Sequence, residues 1–173
     1  MSAIDDALKA SENHGRGFQS AHLAAPPARK IAIVACMDAR LTLEPMLGLK
    51  TGDAHIIRNA GGIVTEDVVR SLIISQQLLG TKEVMIINHT DCGMLTFNDE
   101  ALRAQLVKST GKLAVAPARF YAFSNLEQNV REQIHKLKSH PWIPRQIAVR
   151  GFVYEVRSGR LKEITGSELR RAA

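Results

Sequence analysis

The chain holds only two cysteines, Cys36 and Cys92, and each stands beside another residue able to bind a metal or handle a proton. The first lies in Cys36-Met-Asp38-Ala-Arg40 and the second in His89-Thr-Asp-Cys92. Two thiolates and one imidazole are a recognised catalytic zinc set, because three protein donors around a tetrahedral ion leave one position for water or substrate. A single pair is too small for a disulfide framework, and no Cys-x-x-Cys marks a thiol redox site. Taken alone, either cysteine reads first as a small buried core residue. The coincidence of both with ligand-capable neighbours points to one shared ion. Asp38 and Arg40 form either a plain structural ion pair or a carboxylate held ionised beside that ion.

Such convergence needs a scaffold that delivers both segments to one place. Residues 30–35 and 83–88 carry short continuous apolar runs, the pattern of strands buried on both faces. Each run ends at one of the motifs, and open α/β sheets collect ligands at the carboxyl ends of their strands. A further strand over 54–58 leads into Asn59-Ala-Gly-Gly62, where glycines permit either a close backbone approach or merely a tight turn. Thr65 is a suitable N-cap for a helix in which Val68, Val69, Leu72, Ile73, Leu78 and Leu79 keep helical spacing, with Gly80 as its stop. Strand, helix and strand then predict a right-handed βαβ unit and a partly parallel sheet.

The remaining elements follow the same logic. A short helix is expected over 41–48, ending near Gly48, and another from Asn98 or Asp99 to Gly111. Ser124-x-x-Glu127 reads as a capping box for a helix with Leu126, Val130, Ile134 and Leu137 on its apolar face, stopped by His140-Pro141. Residues 146–156 read as a strand that turns at Ser158-Gly159 into a short partner through Ile164. The fold class is α/β: a central, mostly parallel sheet flanked by helices.

Composition narrows the functions. Hydrophobic residues make up 45% and charged residues 23%, ordinary for a globular chain. The net charge is +6, but Lys and Arg are scattered and aromatics are only 5%, so no base-stacking platform for nucleic acid is present. No apolar run approaches the roughly 20 residues that span a bilayer, and no charged-then-apolar leader opens the chain; a cytoplasmic protein is expected. Residues 1–29 read as an arm. Ser2 and Asp5 form a capping box for a helix carrying Ile4 and Leu8, and Pro26-Pro27 forces an extended link. The arm is expected to pack on a partner subunit, with 30–173 as a single catalytic domain.

Cys36-x-Asp38-x-Arg40 followed farther on by His89-x-x-Cys92 resembles the zinc signature of the beta-carbonic anhydrases. The flanks Ala35-Cys-Met-Asp-Ala-Arg40, Ile57-Arg-Asn-Ala-Gly-Gly62 and His89-Thr-Asp-Cys-Gly-Met94 extend the likeness. It runs from Lys30 to Ile164 and is to the family's short bacterial and archaeal members. The resemblance implies an added antiparallel strand, Zn2+ on Cys36, His89 and Cys92, and reversible hydration of CO2 to bicarbonate and a proton through zinc-bound hydroxide. It also implies a homodimer or larger homo-oligomer that exchanges amino-terminal arms. Asp38 is then expected to accept a hydrogen bond from the zinc-bound hydroxyl while Arg40 holds it ionised. Were that pair lost, Asp38 would become a fourth ligand in a closed state. The Gly93 N–H is expected to help bind the product anion, and His55 to be a polar strand-start rather than a proton carrier. Hydrolysis of carbonyl sulfide or carbon disulfide, or a non-catalytic zinc-binding role, would use the same ligands.

Overall fold

The aliphatic run Ile31–Cys36 forms β1, and every residue after Ile31 is buried, as a strand covered on both faces requires. β2 (Ala54–Asn59) and β3 (Glu83–His89) flank it, both parallel to it. β4 (Ala148–Glu155) pairs parallel with β3, and β5 (Arg160–Ile164) returns antiparallel beside β4. The five-stranded order is β2-β1-β3-β4-β5. This computed structural model describes residues 2–165; the stretch 166–173 of the expected 30–173 domain lies outside the described residues.

The expected mostly parallel sheet with an antiparallel C-terminal strand is therefore the one observed. The helical connection from β2 to β3 runs through α3 (Glu66–Gln77), and β1 lies between the strands it joins. Ile33 accordingly pairs with Ile56 on one side and Met85 on the other. Side chains alternate across β1. Ala32 and Val34 join Val68, Leu72 and Ile86 in one core, whereas Ile33 and Ala35 join Leu43 and Ile87 in another. Leu43 belongs to α2 (Leu43–Leu47), which ends at Gly48 in the left-handed region.

Caps explain where the helices start. Thr65 Oγ1 accepts the Val68 N–H, and Glu66 and Asp67 face the positive end of the α3 dipole. α3 ends at Gln77, ahead of Gly80, whose φ of 73° serves the turn into β3 instead of the helix stop. α5 (Leu126–Lys138) is capped by Asn125, whose Oδ1 accepts the Gln128 N–H at 2.9 Å, not by the expected Ser124. Asparagine in extended backbone caps at least as well as serine, and the one-residue shift frees Glu127 to bond Arg131 and Lys162.

Two helices stand apart from these layers. α1 (Ala3–Arg16) forms on the Ser2–Asp5 capping box yet buries no residue, leaving Ile4 and Leu8 exposed. α4 (Asp99–Thr110), capped by Asn98 and Gly111, likewise buries none. Among the described residues, no helix is long and apolar enough to cross a membrane.

α5 approaches β4 where the strand has Gly151. A Cβ there would lie 2.6 Å from Ile134 Cδ1 and also strike Val130. Gly151→Ala is therefore expected to lower stability by about 1–3 kcal/mol through overpacking. Chemical denaturation measures this, and an unchanged midpoint would contradict the close packing of α5 on the sheet.

Candidate metal centre

β1 ends on Cys36 and β3 on His89, so parallel pairing carries a thiol and an imidazole to the same edge of the sheet. The chain then reverses through Asp91, held at φ 53°, and brings Cys92 back before the 3₁₀ turn Gly93–Leu95. One donor atom from each of Cys36, His89 and Cys92 lies within 4.8 Å of the other two, and all three residues are buried. Leu41, Met94, Leu95, Phe97, Phe123, Tyr154 and Val156 wall the cysteines with apolar surface.

The imidazole is oriented for coordination. His89 Nδ1 lies 2.8 Å from the Thr90 carbonyl oxygen, an acceptor, so this nitrogen carries the hydrogen. Nε2 is thereby left facing the thiols, with 0% of the residue exposed and no hydrogen-bond partner for that atom. A buried nitrogen with no partner carries a desolvation cost that a metal ion removes. Burial, the largest single effect, opposes charge on His89, but Cys36, the Thr90 carbonyl and the Asp38 charge together raise its pKa.

The thiols are coupled. The Cys92 S–H holds Cys36 down to about 4 against the opposing effect of burial, with help from His89 and from the backbone of Asp38 and Gly61. Cys92 is pushed upward because its proton is the one shared with Cys36 and because it is buried. A divalent cation held by both sulfurs would favour their thiolate forms and release protons. Two soft sulfurs and one nitrogen in a closed pocket fit zinc in tetrahedral coordination, with one position left over.

Asp38 and Arg40 stand at this opening. Asp38 Oδ1 accepts from Arg40 Nε and from the Arg40 backbone N–H, each at 2.9 Å, and Oδ2 accepts from Nη2 at 2.7 Å. Arg40 Nη2 also donates to the Asp91 carbonyl, tying the first motif to the second. Asp38 Oδ2 lies 3.7 Å from His89 Nε2. The Arg40 side chain, more than any other cause, keeps the Asp38 carboxyl well below its ordinary value of 3.8. A depressed value means the pair contributes fully above the ordinary value and is lost only as pH falls through the lower folded one. Asp38 is ionised throughout the neutral range.

Arg58 shapes the site without having been given a role from sequence. It donates to the Cys36 carbonyl at 3.0 Å and to the Asp38 carbonyl at 2.6 Å, clamping the backbone between ligand and carboxylate. Its sequence signal is its place in the Ile57-Arg-Asn-Ala-Gly-Gly62 flank, ahead of the Asn59–Gly62 loop. That loop does approach closely: Gly61 and Gly62 have φ of 82° and 62°, and a Cβ on Gly62 would lie 3.0 Å from Cys36 N and from Ile87 O. Gly61 N–H donates to Cys36 Sγ at 3.3 Å. Gly93 is exposed directly after Cys92. His55 lies elsewhere, paired in register with Ala32 toward the opposite end of β1, its ring bonded to Ser75 Oγ and the Ala25 carbonyl.

The family model described as carbonic anhydrase matches residues 31–161. Beta-carbonic anhydrase 1 of Mycobacterium tuberculosis is 44% identical over 165 residues, covering 95% of this chain and 99% of its own length. The crystal structure of carbonic anhydrase from Streptococcus mutans matches with a TM-score of 0.89 and 45% identity, covering 95% of this chain and 99% of that one. A carbon disulfide hydrolase of Saccharolobus solfataricus is 37% identical over 160 residues, covering 80% of this chain and 78% of its own length.

Cys36→Ser replaces a soft, ionisable sulfur with a hydroxyl that stays protonated. The variant is expected to purify with little zinc, whereas the unaltered protein carries close to one equivalent. Elemental analysis decides this, and full zinc occupancy in Cys36→Ser would remove Cys36 from the ligand set.

Proposed function

Because this chain belongs to the beta-carbonic anhydrase family, we infer that its buried Cys36–His89–Cys92 cluster holds zinc and catalyses the reversible hydration of CO2 to bicarbonate and a proton. The observation that carries the reading is the convergence of three buried donors, one of them a nitrogen with no other partner, beside an ionised carboxylate. Zinc bound there supplies Lewis acidity that makes water nucleophilic, more weakly with two thiolate donors than with three imidazoles.

The protein's own groups supply orientation and exclusion. Asp38 Oδ2 would accept a hydrogen bond from the attacking oxygen nucleophile and so turn a lone pair of that oxygen toward the carbon of CO2, without taking its proton. Arg40 holds both carboxylate oxygens by a fork of hydrogen bonds, so the carboxylate orients the nucleophile and does not occupy the ion's open position. Breaking that fork would free Asp38 to become a fourth ligand and close the site. The Gly93 N–H, exposed beside Cys92, binds the anionic product. The apolar wall from Leu41 to Val156 accommodates a linear nonpolar substrate and keeps competing water out.

The exposed apolar face of α1 supports an arm that packs on a second copy, giving at least a homodimer. Two metal-binding thiols kept reduced suit the cytoplasm, and the scattered basic residues offer no nucleic-acid or membrane surface. Hydrolysis of carbon disulfide is a second reading, supported by the likeness to a carbon disulfide hydrolase. Parallel assays with CO2 and carbon disulfide on one preparation separate the two.

Stopped-flow CO2 hydration is expected to rise between about pH 6 and pH 9, because thiolate donors keep the ion's water weakly acidic. A flat profile would contradict this ligand chemistry. Asp38→Asn is expected to keep its zinc yet lose about a hundredfold or more in rate, the scale of a misoriented nucleophile. A variant with normal turnover would exclude Asp38 from the reaction.

A further inference from the structure

Three buried amides behind the metal site form a hydrogen-bonded chain with one direction. Gln133 and Asn129 lie on α5 and Asn88 on β3, at 8%, 5% and 1% exposure. Gln133 Oε1 accepts the Val64 N–H at 2.8 Å, and Gln133 Nε2 donates to Asn129 Oδ1 at 3.0 Å. Asn129 Nδ2 donates to Asn88 Oδ1 at 2.7 Å, and Asn88 Nδ2 donates to the carbonyls of Gly61 and Gly62 at 2.8 and 3.3 Å. The direction is set at both ends. Val64 N–H can only donate and the glycine carbonyls can only accept, so a single orientation of all three amides satisfies the chain.

Both ends grip the same short segment. Asn59 holds its middle, accepting the Ile63 N–H and donating to the Ile63 carbonyl, each at 2.8 Å. The Gly61 N–H takes no part in these bonds; it points at Cys36 Sγ. The amides satisfy the Val64 N–H and the Gly61 and Gly62 carbonyls, which an apolar trio would leave unpaired. By holding this backbone they also fix the aim of one further N–H.

We propose that Asn88, Asn129 and Gln133 are positioning residues for the metal: by locking Gly61–Val64 they direct the Gly61 N–H onto Cys36 Sγ and moderate the charge this sulfur gives the ion. The proposal rests on the zinc reading of Cys36, His89 and Cys92. A hydrogen bond lowers the energy of a thiolate lone pair. Losing it raises that energy, so a thiolate-to-metal charge-transfer band moves to longer wavelength. Loss of the lock also loosens the ligand, and outer partners of metal ligands are worth about ten- to a hundredfold in affinity.

The test uses the full chain, Asn129→Leu and Gln133→Met. Asn129→Leu keeps the bulk but has no N–H for Asn88; Gln133→Met keeps the bulk and cannot accept from Val64. Each protein is loaded with Co2+ for its absorption spectrum, titrated with Zn2+ against a chelator, and checked by circular dichroism. In both variants the band is expected at longer wavelength than in the unaltered protein, with zinc affinity about ten- to a hundredfold weaker. Unchanged band and affinity in folded variants overturns the proposal. If one variant fails to fold, the other decides; if neither folds, the amides serve the fold and the proposal falls. An unaltered protein that takes up neither metal overturns the zinc reading itself, an outcome distinct from the others.

Discussion

Parallel pairing of β1 with β3 is the constraint on which the site depends. Ala35 opposite Ile87 puts Cys36 and His89 just beyond the last pair of the β1–β3 ladder, at the carboxyl end of both strands. Only strands running the same way bring their carboxyl ends together, and such strands need a crossover, here through β2 and α3. The site is thus a product of topology: residues distant along the chain become neighbours because every strand from β1 to β4 points the same way.

Once assembled, the donors create an electrostatic problem that shapes their surroundings. Two buried thiols beside an imidazole shift each other's titration in opposite directions, Cys36 down and Cys92 up. The Asp38 carboxylate adds negative charge at the same place and is held by Arg40, which also reaches the Asp91 carbonyl of the second motif. Backbone clamps complete the enclosure, Arg58 on the Cys36 side and the glycine loop against β1 and β3. Rigid placement of this kind lets a small ligand set act on a substrate with few handles of its own.

The helices divide by what they touch. α3 and α5 bury apolar faces on the sheet, and α5 contributes the amides that reach the glycine loop. α1 and α4 are well capped but bury nothing within the chain. Capping and first-turn charge act locally and set where a helix starts. Burial depends on what is brought against the helix afterwards.

That distinction separates what the sequence determined from what required the tertiary structure. Donor identity, the buried strands ending at Cys36 and His89, the Thr65 cap, a helix start at Asn98 or Asp99 and the Ser2–Asp5 capping box were all legible, because each depends on residue type and near neighbours. The α5 cap was misplaced by one residue: Ser124 and Asn125 have similar intrinsic merit, and packing chose between them. Whether Gly61 and Gly62 made a turn or a close approach stayed open, since the decisive atoms belong to Cys36 and Ile87 on other strands. Arg58 stood in a motif flank without a readable role and the Asn88–Asn129–Gln133 chain gave no pattern, because their partners are set by how α5 and β2 lie on the sheet. Local chemistry named the ligands and drew the elements; long-range packing alone decided which atoms aim them.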